Sequence, residues 1–256
     1  MAAMTIHNFK YWLKNHSNSR VRNVFFLLKR IRCLELPTPK LFNKSLYVLH
    51  NTVVNLLGAV TRVFFYTPAF KGRLASCGKQ LYLYGGLPFV SGPLITHIGD
   101  NCRISGHTTF SGCSMVQNPT LSVGNNVDIN WQTTIAVGTK VILEDNVRIA
   151  GGGFLFGYSG HPLDAKRRAQ GEGDDPSQIG EIILKQDVWL GTNVTVKGGV
   201  VIGEGTVVAA GSVVTKSLPP FSIAAGNPAK VVGQIPGPQS SDNETESEKQ
   251  QGGSHA

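Results

Sequence analysis

His161 is a candidate for proton-transfer chemistry because of its residue type and its polar surroundings. It lies in the segment Ser159-Gly-His-Pro-Leu-Asp-Ala-Lys-Arg-Arg168. Histidine is the side chain whose ordinary pKa lies closest to neutral pH, so it can take up and return a proton under physiological conditions. Taken alone, a histidine in a polar loop is more often an ordinary surface residue. Its role therefore depends on the sequence around it.

The cysteines and the other histidines do not form a metal-binding pattern. Cys33, Cys77, Cys102 and Cys113 show no Cys-x-x-Cys pair or other ligand spacing. The start of the chain lacks the apolar core and cleavage site of a secretory signal. We therefore expect reduced, mostly buried thiols in a cytoplasmic protein that holds no metal.

The positive charge belongs to one part of the chain. The formal net charge is +8, yet residues 1–99 hold 13 Lys and Arg against one acid, Glu35, while residues 100–236 hold 10 bases against 11 acids. A basic protein that binds nucleic acid would be expected to carry its charge on the folded body. The distribution argues against a nucleic-acid partner and points to a separate role for the N-terminal segment.

A six-residue repeat organises the second half of the chain. Between positions 184 and 214 an aliphatic residue stands at every sixth position: Leu184, Leu190, Val196, Ile202, Val208 and Val214. The same repeat runs upstream, where extra residues interrupt the period of six twice. Its three runs are Ile98, Ile104, Phe110, Val116; Val123, Ile129, Ile135; and Leu143, Ile149, Leu155. A period of six is typical of a parallel β-helix in which three short strands make one coil of roughly 18 residues.

The remaining segments give the predicted domain organisation of a mainly β protein. The repeat is interrupted by the loop 157–181. A long loop that projects from a regular fold usually carries functional residues. We predict a basic helical segment at 1–75, the β-helix at 76–235 and a disordered, strongly polar tail at 236–256.

Two helices are predicted ahead of the coils. Residues 20–32 place apolar side chains on one face and five Lys or Arg on the other, whereas residues 45–66 form a mostly apolar helix that ends at Pro68. The second helix is interrupted by polar residues, which disfavours a membrane span. Two interpretations stay open: interfacial attachment to a membrane, or a cover for the open end of the coils.

The end of the repeat carries a family pattern. Ala210-Gly-Ser-Val-Val-Thr-Lys216, Pro219-Pro220 and Ala225-Gly-Asn-Pro-Ala-Lys230 follow one another there, and His161 precedes Arg168 by seven positions. The chain resembles the hexapeptide-repeat acyltransferases, in the branch of the maltose, galactoside and streptogramin O-acetyltransferases, and is similar to polysaccharide O-acetyltransferases. The resemblance is closest from about Leu143 to Val232. It implies a left-handed parallel β-helix with N-terminal helices, acetyl-CoA as acyl donor, no metal and a homotrimer.

The resemblance also implies roles for single residues. His161 matches the catalytic histidine, Asn130 an asparagine that helps to position the acceptor or the histidine, and Thr192 the residue whose backbone N–H faces the thioester oxygen. Trp189, Arg168 and Asp164 are expected at the substrate. Coenzyme A is expected along a groove between neighbouring subunits, against Thr192, Ala210, Thr215, Lys216 and Lys230. Transfer is expected to be direct, so no cysteine is assigned a catalytic role.

Two departures from the family leave the acceptor open. Gly233 stands where close relatives often have a further basic residue, and Ile135-Ala-Val-Gly-Thr139 stands where sugar-acetylating relatives often place an aspartate. We expect a glycan or lipid-linked sugar at the inner face of the cytoplasmic membrane. The alternatives are a small soluble acceptor (a free sugar, an antibiotic or serine) and a non-catalytic scaffold subunit. A carbonic anhydrase is disfavoured because His97, His107 and His161 show no close ligand spacing.

Overall fold

The computed structural model describes residues 6–237, so the predicted disordered tail lies almost entirely outside the described residues. The chain divides into two compact units, Met1–Val54 and Asn55–Ala256. The second unit contains the coils and the candidate site.

The second unit is a parallel β-helix with three faces, as the repeat predicted. Face 1 consists of β1 (Ser76–Cys77), β4 (Ile95–Ile98), β7 (Thr120–Val123), β10 (Lys140–Leu143), β13 (Ile182–Leu184) and β16 (Val200–Ile202). Face 2 consists of β2 (Tyr82–Tyr84), β5 (Arg103–Ser105), β8 (Asp128–Ile129), β11 (Arg148–Ile149), β14 (Trp189–Leu190), β17 (Val207–Val208), β19 (Ser222–Gly226) and β20 (Ala229–Gln234). Face 3 consists of β3 (Phe89–Ser91), β6 (Thr109–Gly112), β9 (Thr134–Val137), β12 (Phe154–Phe156), β15 (Thr195–Lys197) and β18 (Val213–Val214). We call the corner after each face 2 strand the 2–3 edge, and the corner after each face 3 strand the 3–1 edge.

The six-residue repeat forms the core of the coils. Leu184 pairs with Ile202, three hexads later, and both side chains are fully buried. Each such side chain contributes about 1.5–3 kcal/mol relative to an exposed position. Val116 is the exception, because it lies in the turn that joins β6 to β7 and is only partly buried. Its place in the predicted repeat was wrong, since the coil widens there instead of continuing into a strand.

Side-chain amides stack at the corner between faces 1 and 2. Asn126 donates to Asn146 Oδ1 at 2.7 Å, and Asn146 donates to Asp187 Oδ1 at 2.8 Å. All three residues have positive φ, which Asn and Asp tolerate better than other non-glycine residues. The ladder therefore fixes successive coils in register at a turn that the backbone alone would not favour.

Both ends of the coil stack are covered. Phe70, from a short helix within the same unit, is 1% exposed and packs on Phe110 with ring centroids 6.4 Å apart. At the other end β20 pairs antiparallel with β19 and closes face 2. The end of the stack at which the coils begin is thus covered by the residues just before the first coil.

The N-terminal helices are α1 (Ile6–Asn15), α2 (Ser19–Arg32), α3 (Lys40–Thr61) and α4 (Thr67–Lys71), with a π-helical turn over Arg62–Tyr66. Helix α2 confirms the predicted helix. Its N-cap is Asn18, whose side chain accepts a hydrogen bond from Arg20 N. No side chain of α2 or α3 is buried.

The prediction that the apolar helix ends at Pro68 was wrong. Proline lacks a backbone N–H and clashes with the preceding turn of an α-helix. The chain widens into the π-helical turn just before it, and Pro68 then occupies the first turn of α4, where a missing N–H is tolerated. The helix therefore continues as Lys40–Lys71, which by length and composition can cross a bilayer.

Candidate active site

The loop that carries His161 leaves and rejoins the coils at one point of the 3–1 edge. It starts after β12, and Gly180 N donates to Gly157 O at 2.8 Å where it returns. A Cβ on Gly157 would lie 2.5 Å from Gly138 N and 2.8 Å from Gly180 O. Only glycine lets the two ends of the loop approach so closely, which keeps the coil stack regular on both sides.

A buried carboxylate holds the start of the loop. Asp174 is 6% exposed, and its Oδ1 accepts from Ser159 N at 2.9 Å, from Gly160 N at 2.7 Å and from Ser159 Oγ at 2.6 Å. Ser159 Oγ also lies 2.9 Å from the carbonyl oxygen of His161. The backbone around His161 is therefore fixed by a residue that follows it in the sequence.

The imidazole of His161 is left free by these contacts. The side chain is exposed, and no hydrogen bond to its ring occurs within residues 6–237. A histidine with both ring nitrogens unengaged can accept a proton from a bound hydroxyl. The loop thus presents an exposed imidazole, without a ring hydrogen bond to a described residue, on a fixed backbone.

Asp164 and Arg168, both predicted at the substrate, support the loop from within. Asp164 caps α5 (Ala165–Ala169) and accepts from Lys166 N and Arg167 N, each at 2.9 Å. Arg168 donates to the carbonyl oxygens of Pro162 and Leu163, each at 3.0 Å. These contacts order the residues that follow His161, and the guanidinium retains further N–H groups.

Asn130 and Thr192 lie on the 2–3 edge. Asn130 Nδ2 donates to Ile149 O at 2.9 Å, and its Oδ1 accepts from Tyr84 Oη at 2.8 Å. The amides of Gly191 and Asn193 donate to neighbouring coils, whereas the N–H of Thr192 between them makes no hydrogen bond within the described part of the chain. A free N–H at a fixed corner is the arrangement that oxyanion stabilisation requires.

The residues predicted at coenzyme A divide between two edges. Ala210 lies on the 2–3 edge, one coil beyond Thr192, and Lys230 lies on β20 opposite Ala225. Thr215 and Lys216 follow β18 at the 3–1 edge, and both are exposed. Neither Lys216 nor Lys230 makes an ion pair with a described residue. Trp189 projects from face 2 with 53% of its side chain exposed.

Within one chain the predicted site residues therefore lie in two separate groups. Asn130, Thr192, Ala210 and Lys230 form a row along the 2–3 edge, while His161, Thr215 and Lys216 lie along the 3–1 edge with face 3 between them. No hydrogen bond or ring contact joins the two groups among residues 6–237. The described residues of one chain therefore do not bring the predicted constellation together.

Three residues near the candidate site were not identified from the sequence: Tyr84, Trp131 and Asp174. His107 was considered only as a possible metal ligand. The rings of His107 and Trp131 are 4.1 Å apart, and Trp131 directly follows Asn130. A large aromatic residue at a corner where other coils have small residues was an available signal for Trp131. Asp174 had none, since its partner lies 15 residues away in an irregular loop.

Three of the four cysteines are at least partly buried, in agreement with the prediction of mostly buried thiols. Cys102 and Cys113 are buried and Cys77 is partly buried, while Cys33 at the end of α2 is exposed. Burial raises the pKa of the Cys102, Cys113 and Cys77 thiols, which lowers their thiolate fraction near neutral pH.

We expect N-ethylmaleimide at pH 7.5 to modify Cys33 within minutes and to leave Cys102 and Cys113 unmodified until the protein is denatured. The reason is twofold, since the reagent cannot reach the buried thiols and little thiolate is present. Peptide mass spectrometry after timed quenching measures the order. Modification of Cys102 as fast as Cys33 in the native protein would contradict the burial described above.

Comparison with known proteins agrees with the repeat and the fold. The family described as bacterial transferase hexapeptide (six repeats) matches residues 181–216. The galactoside O-acetyltransferase of Escherichia coli is 35% identical over 138 residues, which cover 54% of this chain and 63% of that protein.

The solved structures with a similar fold include two of AntD, an N-acyltransferase from Bacillus cereus. A variant of AntD in complex with dTDP and coenzyme A has a TM-score of 0.56 at 22% identity, covering 73% of this chain and 98% of that chain. AntD with dTDP and 3-hydroxybutyryl-CoA has a TM-score of 0.54 at 21% identity, covering 74% and 98%. At this identity the likeness shows the fold.

The matched part spans between 55% and 66% of the length of the first curated relatives. Repeat period, coil register and matched sequence nevertheless agree over the same strands. The resemblance found in the sequence is confirmed: residues 181–216 match the hexapeptide repeat of bacterial transferases, and the same residues form coils of the parallel β-helix.

Proposed function

We propose that the chain is a coenzyme A-dependent O-acetyltransferase that acetylates a hydroxyl of a glycan or lipid-linked sugar. The observation that carries the proposal is the fixed loop that presents the free imidazole of His161 on a hexapeptide-repeat domain. The names of the matched relatives support the class of reaction.

His161 acts as general base in this proposal. A hydroxyl attacks a thioester slowly until a base removes its proton as the new bond forms. Thr192 N–H donates to the oxygen that gains negative charge, and Asn130 positions the acceptor hydroxyl. The bond from carbonyl carbon to sulfur breaks, and the proton held by His161 goes to the departing thiolate. The cysteines of the chain take no part.

Acetyl-CoA supplies the activated acetyl group, and the edges of the coils fit such a donor. A Cβ on Gly191 would lie 2.7 Å from Ala210 N, so glycine lets the two coils approach closely at this corner. The pantetheine arm lies along this corner in the proposal, next to the exposed residues Thr192 and Ala210. Lys216 and Lys230 carry unpaired positive charge for the phosphates, and Thr215 adds a hydroxyl.

A homotrimer completes the site in this proposal. His161 and Asn130 lie on different edges of one chain, so the 3–1 edge of one copy has to face the 2–3 edge of the next. Three copies close such a head-to-tail arrangement with three equal sites. A protein that is monomeric at working concentration would argue against this arrangement.

The N-terminal helices attach the protein to the inner face of the cytoplasmic membrane in this proposal. Helix α2 ends in Lys29, Arg30 and Arg32, and its apolar side chains are exposed. On α3 and the turn that follows it, Lys40, Lys44, Asn51, Asn55 and Arg62 recur at intervals of four and seven. This spacing places them along one face, which favours a helix lying in the interface over a helix crossing the bilayer.

We expect the protein to float with vesicles that contain phosphatidylglycerol. The variant Lys29→Glu/Arg30→Glu/Arg32→Glu should lower its partition at least about 100-fold, because each basic residue near an anionic surface contributes about 1 kcal/mol and the new acids are repelled. The matched control is Lys140→Glu/Lys197→Glu, two exposed lysines on the β-helix. Equal flotation of the triple variant and wild type, or equal solubility of the full chain and a chain without residues 1–73, would contradict membrane attachment.

The transfer reaction is tested by release of free thiol from acetyl-CoA in the presence of candidate acceptors. Glycans with free hydroxyls are expected to raise thiol release above hydrolysis, with the acetyl ester recovered on the glycan by mass spectrometry. A free sugar, an antibiotic or serine as the best acceptor would support the small-molecule alternative. Absence of transfer to any of them would favour a scaffold subunit.

A further inference from the structure

An exposed aromatic pair lies on the 2–3 edge, next to Asn130. The rings of His107 and Trp131 come from successive coils, with centroids 4.1 Å apart and planes inclined by 33°. Trp131 is 47% exposed, and His107 is also exposed. Neither ring belongs to the core or to the proton transfer described above.

Glycines on both sides leave the pair uncovered. A Cβ on Gly85, one coil before, would lie 3.4 Å from His107 Cδ2 and 3.8 Å from Trp131 Cζ3, so any side chain there would lie against both rings. Gly85 also has a φ of 73°, which disfavours other residues. One coil after the pair, the corner consists of Gly151, Gly152 and Gly153. This glycine corner, which we call the shelf, adds no side chain of its own between the aromatic pair and Thr192, and the Asn193 side chain lies against it at Gly152.

Polar groups beside the shelf have hydrogen-bonding capacity left. Asn130 uses one amide N–H on Ile149 O and one lone pair on Tyr84 Oη. A primary amide has a second N–H and a second lone pair. Asn130 can therefore bind one hydroxyl as donor and as acceptor while Tyr84 holds its side chain in place.

The spacing suits a sugar ring. Successive coils are about 4.8 Å apart, so Trp131 and Thr192, two coils apart, are separated by about 10 Å along the edge. A pyranose ring packed on Trp131 would have its hydroxyls on the same edge as Asn130 and the free N–H of Thr192. The apolar C–H face of a pyranose packs on an aromatic ring, and its rim of hydroxyls needs polar partners nearby.

We propose that His107 and Trp131 form an acceptor subsite that binds a pyranose ring of the glycan, with Tyr84 as a positioning residue for Asn130. The subsite rests on the proposed acetyl transfer for its role, but its binding of sugar is independent of that reaction. Neither the aromatic pair nor Tyr84 was among the residues that the family resemblance assigned.

The test compares wild type, Trp131→Ala and Trp131→Phe with four disaccharides: lactose, maltose, cellobiose and chitobiose. Saturation-transfer NMR measures binding without turnover, and acceptor KM is measured where transfer occurs. We expect Trp131→Ala to lose the NMR signal and to raise acceptor KM about tenfold while KM for acetyl-CoA stays the same. Trp131→Phe is expected to keep most of the binding. Phe89→Ala, an exposed aromatic on face 3, is the control.

Two results would overturn the subsite. One is that no disaccharide binds to wild type, and the other is that Trp131→Ala binds and turns over as wild type does. If disaccharides bind through Trp131 but no acetyl group is transferred, the subsite stands and the proposed reaction fails. Binding of nucleobases in place of sugars would show a general stacking surface and would also contradict a pyranose subsite.

Discussion

Replacement of His161 by alanine is expected to lower kcat for acetyl transfer about 10²- to 10⁴-fold, the usual contribution of a positioned general base. The loop should keep its conformation, because Asp174 and Ser159 hold the backbone and the imidazole itself makes no contact within the described residues. Binding of acetyl-CoA, measured by calorimetry, should therefore change little.

Lys166→Ala is the matched control for His161→Ala. Lys166 lies in the same loop and is exposed, and its side chain makes no hydrogen bond or ion pair in the described structure. Its kcat should stay within about twofold of wild type, since surface substitutions without partners have small effects. Equal rates for His161→Ala and wild type would remove His161 from the mechanism even if transfer itself were confirmed.

Replacement of Asp174 by alanine is expected to lower kcat about 10- to 100-fold without a matching rise in KM for acetyl-CoA. The substitution removes the acceptor of the Ser159 and Gly160 N–H groups, and a hydrogen bond to a carboxylate contributes about 1.5–3 kcal/mol. The ordered form of the loop becomes less populated, and a small displacement of a catalytic group costs up to about 100-fold in rate.

Two further variants separate positioning by Asp174 from general loss of stability. Asp174→Asn keeps an oxygen at the same place and should recover most of kcat. Glu172→Ala removes only an exposed ion pair to Arg167 in the same loop and should have little effect. The melting temperature of the coils should be similar in all three, because the loop lies outside the stack. Activity of Asp174→Ala equal to that of Glu172→Ala would contradict a positioning role.

The core of the coils was predictable because its signal is local and repeated. Leu184, Leu190 and Val196 each report one turn of the chain, and every inward residue from Val123 to Val214 that the repeat assigned is buried as expected. Val116 is the exception, since a residue in a wide corner can match the six-residue period without pointing into the core.

The candidate site was predictable only in part. The family pattern identified His161 and Thr192 by their neighbours in the sequence, and the structure gives them a free imidazole and a free N–H. Asp174 was missed because its contact with Ser159 joins two irregular segments, which leave no periodic pattern. The separation of His161 from Asn130 on different edges also depends on the three-dimensional path of the coils.

The π-helical turn before Pro68 shows a similar limit for the helices. Proline in an apolar helix ordinarily predicts an end, yet a single widened turn removed the clash and let the helix continue to Lys71. Such local adjustments depend on the preferences of the neighbouring turn, and the residue types alone do not show them.

The two covered ends of the coil stack bear on how copies of this chain meet. A parallel β-helix with open ends presents unpaired strand edges, and identical molecules can then add end to end into filaments. Phe70 covers one end, and the antiparallel pairing of β20 with β19 gives face 2 a terminal strand of opposite direction at the other. We expect this arrangement to hinder end-to-end addition of copies along the axis.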